Sequence, residues 1–266
     1  MPLTRDQLVD AGPAQVFVQL TGPSSAQVGG SEPVVLLHEG LGSVAMWKDF
    51  PQRLADACGR RVLTYDRPGH GRSPPHDAGL LDLDHEAFVV LPALLRALNI
   101  ERPILLGHSD GGTIALMAAA RSDISAVIVE AAHVHMEDVM RAGIRRLVAE
   151  WNEGALRRRL ARYHGPHVGR MFERWASTWL SEDFDSWAIV DHLRRITRPL
   201  LALQGASDGF GTIGQLDAIA RHCAGAARTV LLPDCGHVPH HERPGDVLDI
   251  VANDLTERLH GRVCMP

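Results

Sequence analysis

The sequence predicts an α/β protein whose mostly parallel central sheet is flanked by helices and interrupted by one helical insertion. Three observations predict it. Short β-branched and leucine-rich runs alternate with amphipathic helical stretches. Those runs lack polar alternation, as strands buried on both faces require. From about 134 to 192 the rhythm breaks into arginine- and tryptophan-rich helical sequence with no convincing strand. Alternation of this kind implies right-handed crossovers between parallel strands.

The strands, in order, are VVLLH (34–38), RVLTYD (61–66), PILLGHS (103–109), AVIVEAA (126–132), PLLALQG (199–205) and RTVLLPD (228–234). Helical periodicity covers 47–57, 84–99, 111–121, 214–224 and 244–260. The last stretch opens on Pro244, a favoured residue in a first helical turn. The chain therefore divides into a first core part, 1–133, an inserted helical cap, 134–192, and a second core part, 193–266. Four of the five tryptophans (Trp151, Trp175, Trp179 and Trp187) fall in the insertion.

Length and composition set the outer bounds. A chain of 266 residues, 45% hydrophobic, can bury one sizeable core. A net charge of −5 without a basic block argues against a nucleic-acid partner. The N-terminal MPLTRDQLVDAGP lacks the apolar core of a signal peptide. Clean apolar runs such as Ile114 to Ala120 fall short of the ~20 residues that span a bilayer. Cys58, Cys223, Cys235 and Cys264 show no C-x-x-C spacing, so neither a zinc site nor a disulfide framework is indicated. The expectation is a cytoplasmic protein, monomer or homodimer, acting on a small molecule without a membrane partner.

The stretch Gly107-His-Ser-Asp-Gly-Gly112 offers two nucleophiles side by side. A sharp strand-to-helix turn strains its central residue and brings the residues two before and two after it very close. Centred on Ser109, those neighbours are Gly107 and Gly111; centred on Asp110, they include His108. The geometry favours Ser109. A serine hydroxyl needs a base, and histidine titrates in the right range. Of fifteen histidines, His237 follows the last predicted strand, where catalytic groups gather at the carboxyl edge of the sheet. His240 and His241 are rivals, but they run into the final helix. A carboxylate must orient the imidazole. Asp208 follows the strand at 199–205, and Glu130 is the alternative acid. One oxyanion donor is the backbone N–H of Asp110, whose carboxylate also suits a helix N-terminus. The second is Gly40 or Leu41 in HEGLGS.

Together these residues resemble the α/β-hydrolase fold family. The resemblance rests on His38 to Gly42 with Trp47, Asp66-Arg-Pro-Gly-His-Gly-Arg-Ser73, GHSDGG, Gly205 to Asp208, and Gly236-His237 with Glu242 and Pro244. It runs from about residue 33 to the C-terminus and places the cap after the sixth strand. It implies Ser109 as nucleophile, His237 as base, Asp208 as acid, and the Gly40 and Asp110 N–H groups as oxyanion hole, with no cofactor. Asp66 to Ser73 becomes a fold-supporting turn. Candidate pocket residues are Leu41, His108, Trp151, Trp175, Trp179 and Val238. The expected reaction is hydrolysis of a carboxylic ester. The alternatives are cleavage of a vinylogous diketone, a lactone or a thioester on the same residues, or a ligand receptor that keeps the fold. One departure stands out. Glu39 replaces the glycine that usually follows the histidine, so it either sets a carboxylate against the developing oxyanion or turns away to a neighbouring loop.

Four other patterns carry less. Gly209-Phe-Gly-Thr-Ile-Gly214 spells a dinucleotide fingerprint, but four residues separate it from its strand. His133 and His135 lack a third metal ligand at a convincing spacing. Cys235 reads as a small buried thiol, and the insertion's arginines (Arg141, Arg145, Arg157, Arg158 and Arg162 among them) read as solvated faces.

Overall fold

A computed structural model of the chain describes residues 4–24, 32–75 and 81–260. The strands within them are β1 (Thr4–Asp10), β2 (Gln15–Thr21), β3 (Val34–Leu37), β4 (Val62–Tyr65), β5 (Ile104–His108), β6 (Ala126–Glu130), β7 (Leu200–Gly205) and β8 (Ala227–Leu232). They make one sheet in the order β1-β2-β4-β3-β5-β6-β7-β8. β3 to β8 pair in parallel, while β2 runs antiparallel to both β1 and β4.

The six predicted strands lie within two residues of their observed ends, but the β1–β2 hairpin is absent from the prediction. β1 is an edge strand, exposed along most of its length and studded with Arg5, Asp6 and Asp10. Charges on an edge deter pairing with other chains and also mask the strand's signature. β2 buries Val16, Phe17 and Val18 consecutively, so its alternation is broken too.

Helices α1 (Phe50–Cys58), α2 (Leu83–His85), α3 (Leu91–Ala97) and α4 (Asp110–Ala119) precede β6, and a π-turn over Glu86–Val90 joins α2 to α3. Between β6 and β7 lie α5 (Asp138–Asn152), α6 (Ala155–His164), α7 (Val168–Trp179) and α8 (Val190–Leu193). Then follow α9 (Ile213–His222), α10 (Pro239–Glu242) and α11 (Pro244–His260). The chain enters and leaves the α5–α7 part of that segment across one bridge, His135 to Ala188. It is flanked by Met136 N–H to Trp187 C=O at 3.1 Å and Ile189 N–H to Val134 C=O at 2.8 Å.

Strand residues alternate between two apolar layers. Val34, Leu36, Ile104 and Leu106 pack on one side with Phe50 and Leu54 of α1 and Val247 and Val251 of α11. Val35, Leu37, Leu105 and Val127 face the other side with α3, α4 and the α5–α8 segment. Burial on both faces is why the strands read as continuous apolar runs. Among the described residues no helix is long and apolar enough to cross a membrane, and no cluster of three metal-ligating side chains occurs. Cys264 lies outside the described residues.

Candidate active site

Ser109 joins β5 to α4 with φ 53° and ψ −118°, a left-handed conformation that side chains adopt at a cost of ~1–3 kcal/mol. The turn tolerates that only because its flanks are bare. A Cβ on Gly107 would run into the backbone of Gly111, and one on Gly111 into the carbonyl of Leu37. Strand register and this turn together lift the Ser109 hydroxyl to the carboxyl edge of the sheet.

Two further loops leave the same edge and converge there. His237 Nε2 lies 3.1 Å from Ser109 Oγ. On its other side, His237 Nδ1 donates to the Asp208 carboxylate, with the two oxygens at 2.9 and 3.0 Å. Asp208 also accepts from Gln204 Nε2 and from the Phe210 N–H. Burial works against its ionisation, but the bond and charge of His237 hold its carboxyl below the usual range. The His237 ring is walled by His133, stacked at 5.8 Å, and by Phe210 at 4.6 Å. Burial, then the charge of His237, pushes His133 down to about 3, so that wall is neutral.

The alternative acid and base are spoken for. Glu130 Oε2 takes His240 Nδ1 at 2.8 Å, with both side chains almost fully buried. Trp47 and Phe50 cover His240.

Glu39 turns away from the nucleophile. Its carboxylate folds over Gly42, where a Cβ would strike it, and reaches 3.5 Å from His108 Nδ1. His108 Nε2 donates to the His237 carbonyl at 2.7 Å. Burial opposes charge on both partners, yet each shifts the other toward its ionised form: Glu39 downward and His108 upward. His108 is therefore a buried clamp between two loops, with the extra carboxylate facing its ring.

The loop from His38 to Gly42 is held by its carbonyls. Arg67 N–H donates to His38 Nε2, so His38 Nδ1 carries the proton and donates to Glu39 C=O at 2.8 Å. His70 Nε2 meets Gly40 C=O at 3.1 Å. Gly71 N–H donates to His164 Nδ1, so His164 Nε2–H donates to Leu41 C=O at 3.0 Å. Arg67 Nη2 and Gly42 N–H also serve Glu39 C=O, both at 3.0 Å. Peptide planarity turns each N–H opposite to its pinned carbonyl. Among the described residues no hydrogen bond uses the N–H groups of Gly40, Leu41 or Asp110.

Asp110 is less simple than its place at a helix start suggested. Its side chain is buried, with Oδ2 3.8 Å from the Arg67 guanidinium, and burial pushes its carboxyl up. The Trp175 indole nitrogen presses on Gly40 beside that oxygen. Trp179, one turn further along α7, is fully buried and meets His133 edge-on. Trp151 is not drawn in: among the described residues its ring contacts are Phe172, stacked at 4.1 Å, and Arg157. Half-buried Val238 follows His237, its N–H bonded to Glu242.

The predicted supporting turn ties down as expected. Asp66 accepts from the N–H groups of Val44 and Arg72, and Ser73 Oγ donates to the Asp66 carbonyl. The Gly209–Gly214 pattern holds no room for a phosphate, because Glu137 already occupies the Thr212 N–H and hydroxyl. Cys235 is buried and its thiol is pushed up to about 11, first by burial. Sequence reasoning placed Arg67 and His70 in the supporting turn without tying them to the His38–Gly42 loop, and it missed His164 altogether, because no spacing rule links any of the three to the loop they hold.

The chain matches the Alpha/beta hydrolase family over residues 34–250. It belongs to that family and is a hydrolase. The human protein "Serine hydrolase BPHL" is 29% identical over 273 aligned residues, covering 93% of this chain and 90% of that protein. The 2-succinyl-6-hydroxy-2,4-cyclohexadiene-1-carboxylate synthase of Salmonella arizonae is 26% identical over 84% of this chain and 93% of its own length. Among solved structures, the 2-hydroxy-6-oxo-6-phenylhexa-2,4-dienoate hydrolase of Rhodococcus sp. strain RHA1 superposes with a TM-score of 0.80 at 17% identity. That match covers 96% of this chain and 99% of that one, and it speaks for the fold alone.

Proposed function

We infer that the protein is a serine hydrolase cleaving a carboxylic ester of a small or apolar substrate. Ser109 attacks the carbonyl while His237 takes its proton, and Asp208 keeps the imidazole in the Nδ1–H tautomer, with Nε2 free to accept, and stabilises the imidazolium. The tetrahedral oxyanion takes the backbone N–H groups of Gly40 and Asp110, each worth roughly 3 kcal/mol in the transition state. His237 then protonates the leaving alcohol, and the same histidine activates the water that frees the acid. The α5–α8 segment acts as a cap, with Trp175 and Trp179 closest to the reacting centre.

The observation that carries this reading is the hydrogen-bonded line Ser109–His237–Asp208, ending on a serine in a left-handed turn. The human relative's description as a serine hydrolase is in keeping with it. The test is a panel of p-nitrophenyl esters, a lactone, a thioester and a vinylogous diketone, run with wild type and Ser109→Ala. A fluorophosphonate probe should label Ser109 in the folded protein. Ester turnover that survives Ser109→Ala removes the nucleophile assignment, and absence of the adduct favours a receptor. Preferential turnover of another panel member redirects the substrate class while leaving the residues in place.

A further inference from the structure

Three consecutive carbonyls, those of Glu39, Gly40 and Leu41, each meet a different buried imidazole. His38 and His70 belong to the part of the chain before β6. His164 does not: it is the last residue of α6, inside the segment between β6 and β7. The three rings form a row, with centroids 5.1 Å apart for His38–His70 and 6.0 Å for His70–His164.

We propose that His164 is a positioning residue through which the inserted helices set the backbone that receives the oxyanion, an inference that rests on the serine-hydrolase reading above. Its two ring nitrogens have no freedom of role. Gly71 can only donate and the Leu41 carbonyl can only accept, so the neutral Nε2–H tautomer alone satisfies both. Burial lowers the proton affinity of His164, in keeping with that neutral form. The bridge fixes the Leu41 peptide against the Asp66–Ser73 turn. That peptide's own N–H, on Gly42, donates to Glu39 C=O; planarity then turns the Gly40 N–H away from the held Glu39 carbonyl and the Leu41 N–H away from the Gly40 carbonyl that His70 meets.

A helix that shifts away from the sheet withdraws His164 from Leu41. The oxyanion loop then loses one of its three pins while Ser109, His237 and Asp208 keep theirs. Closure of the insertion is thereby coupled to transition-state binding more than to substrate binding.

The test compares His164→Phe with His164→Gln in the full chain. Glutamine carries both an amide donor and a carbonyl acceptor and can restore the bridge; phenylalanine fills the space with neither. Three readouts are needed: kcat and KM on an ester that the wild type turns over, inhibition by an alkyl boronic acid, and amide hydrogen exchange across residues 38–44. In His164→Phe, kcat and boronate affinity should fall together by about 10- to 100-fold, with KM within about threefold. Exchange at 38–44 should rise, and His164→Gln should recover most of each loss. An unchanged kcat in His164→Phe overturns the proposal. So do equal losses in both variants, which would mark a purely structural role. Hydrogen exchange separates the two layers of inference. If it rises in His164→Phe while Ser109 takes no fluorophosphonate, the positioning stands and the hydrolytic reading falls. If exchange is unmoved while Ser109 labels normally, the reverse holds.

Discussion

Asp208–His237 and Glu130–His240 are built alike. Each puts a carboxylate oxygen within 2.9 Å of an imidazole Nδ1, and each carboxylate is at most 1% exposed. They differ in what the far ring nitrogen finds. His237 is 16% exposed, with Nε2 on Ser109. His240 is 3% exposed and packed against Trp47 and Phe50. A carboxylate–imidazole pair is thus a fixed base only where the ring's other edge opens on a nucleophile; elsewhere it is a buried tie between β6 and α10. Glu39–His108 makes a third kind of pair, looser at 3.5 Å, which joins two loops and serves no nucleophile.

The largest effect separates the first two pairs. His237→Ala should lower kcat/KM by about 10⁴ or more, while His240→Gln stays within about tenfold of wild type in kcat and instead loses roughly 3–5 kcal/mol of stability. Activity assays beside urea unfolding measure both, and a similar kinetic loss in the two variants breaks the distinction. Next in size, Asp208→Asn should cost about 10⁴ in kcat by presenting the wrong tautomer, whereas Glu130→Gln moves the urea midpoint far more than kcat.

The third pair predicts a change in pH profile. Glu39 raises the proton affinity of His108. The pair's contribution is therefore complete below the unfolded histidine value near 6.5 and is lost as pH rises through the raised folded value. Glu39→Gln should move the alkaline limb of kcat/KM to lower pH. An unmoved limb means that His108 is not charged in the working enzyme.

The last effect falls on stability rather than on kcat and concerns the neutral histidines. His38 and His133 are each pushed down to about 3, chiefly by burial, and titrate near 6.5 when unfolded. Their contribution is present above pH ~6.5 and erodes as pH falls toward 3, by up to ~1.4 kcal/mol per unit for each ring. Urea midpoints measured at about pH 7 and pH 5 should decline accordingly, and a flat profile counts against buried neutral rings.

The sequence exposed most of the parallel sheet because strands buried on both faces write themselves as unbroken apolar runs. It hid β1, whose edge position calls for charges, and β2, whose two neighbours bury adjacent residues. Ser109, His237 and Asp208 were legible for local reasons: glycine spacing around one, and strand ends before the other two. The partner of Glu39 was not, because His108 sits on the neighbouring strand of the sheet and only the register of β3 with β5 brings them together. His164 was hidden more deeply, at the end of a helix that reads in sequence as an arginine-rich surface. Asp110 was read as a backbone donor whose carboxylate suits a helix N-terminus; it lies there, at the start of α4, and its carboxylate also faces the fully buried Arg67, a partner that no local pattern announces.

Between Met136 and Trp187 the chain makes a long detour that starts and finishes on neighbouring rungs. To the sheet, that detour has no length. Residues can be gained or lost within it while every strand keeps its register, since both ends stay knotted at the same rung. The narrow doorway makes the segment exchangeable, subject to one restriction. Any replacement must bring a donor back to the Leu41 carbonyl if that contact between the insertion and the His38–Gly42 loop is to be kept.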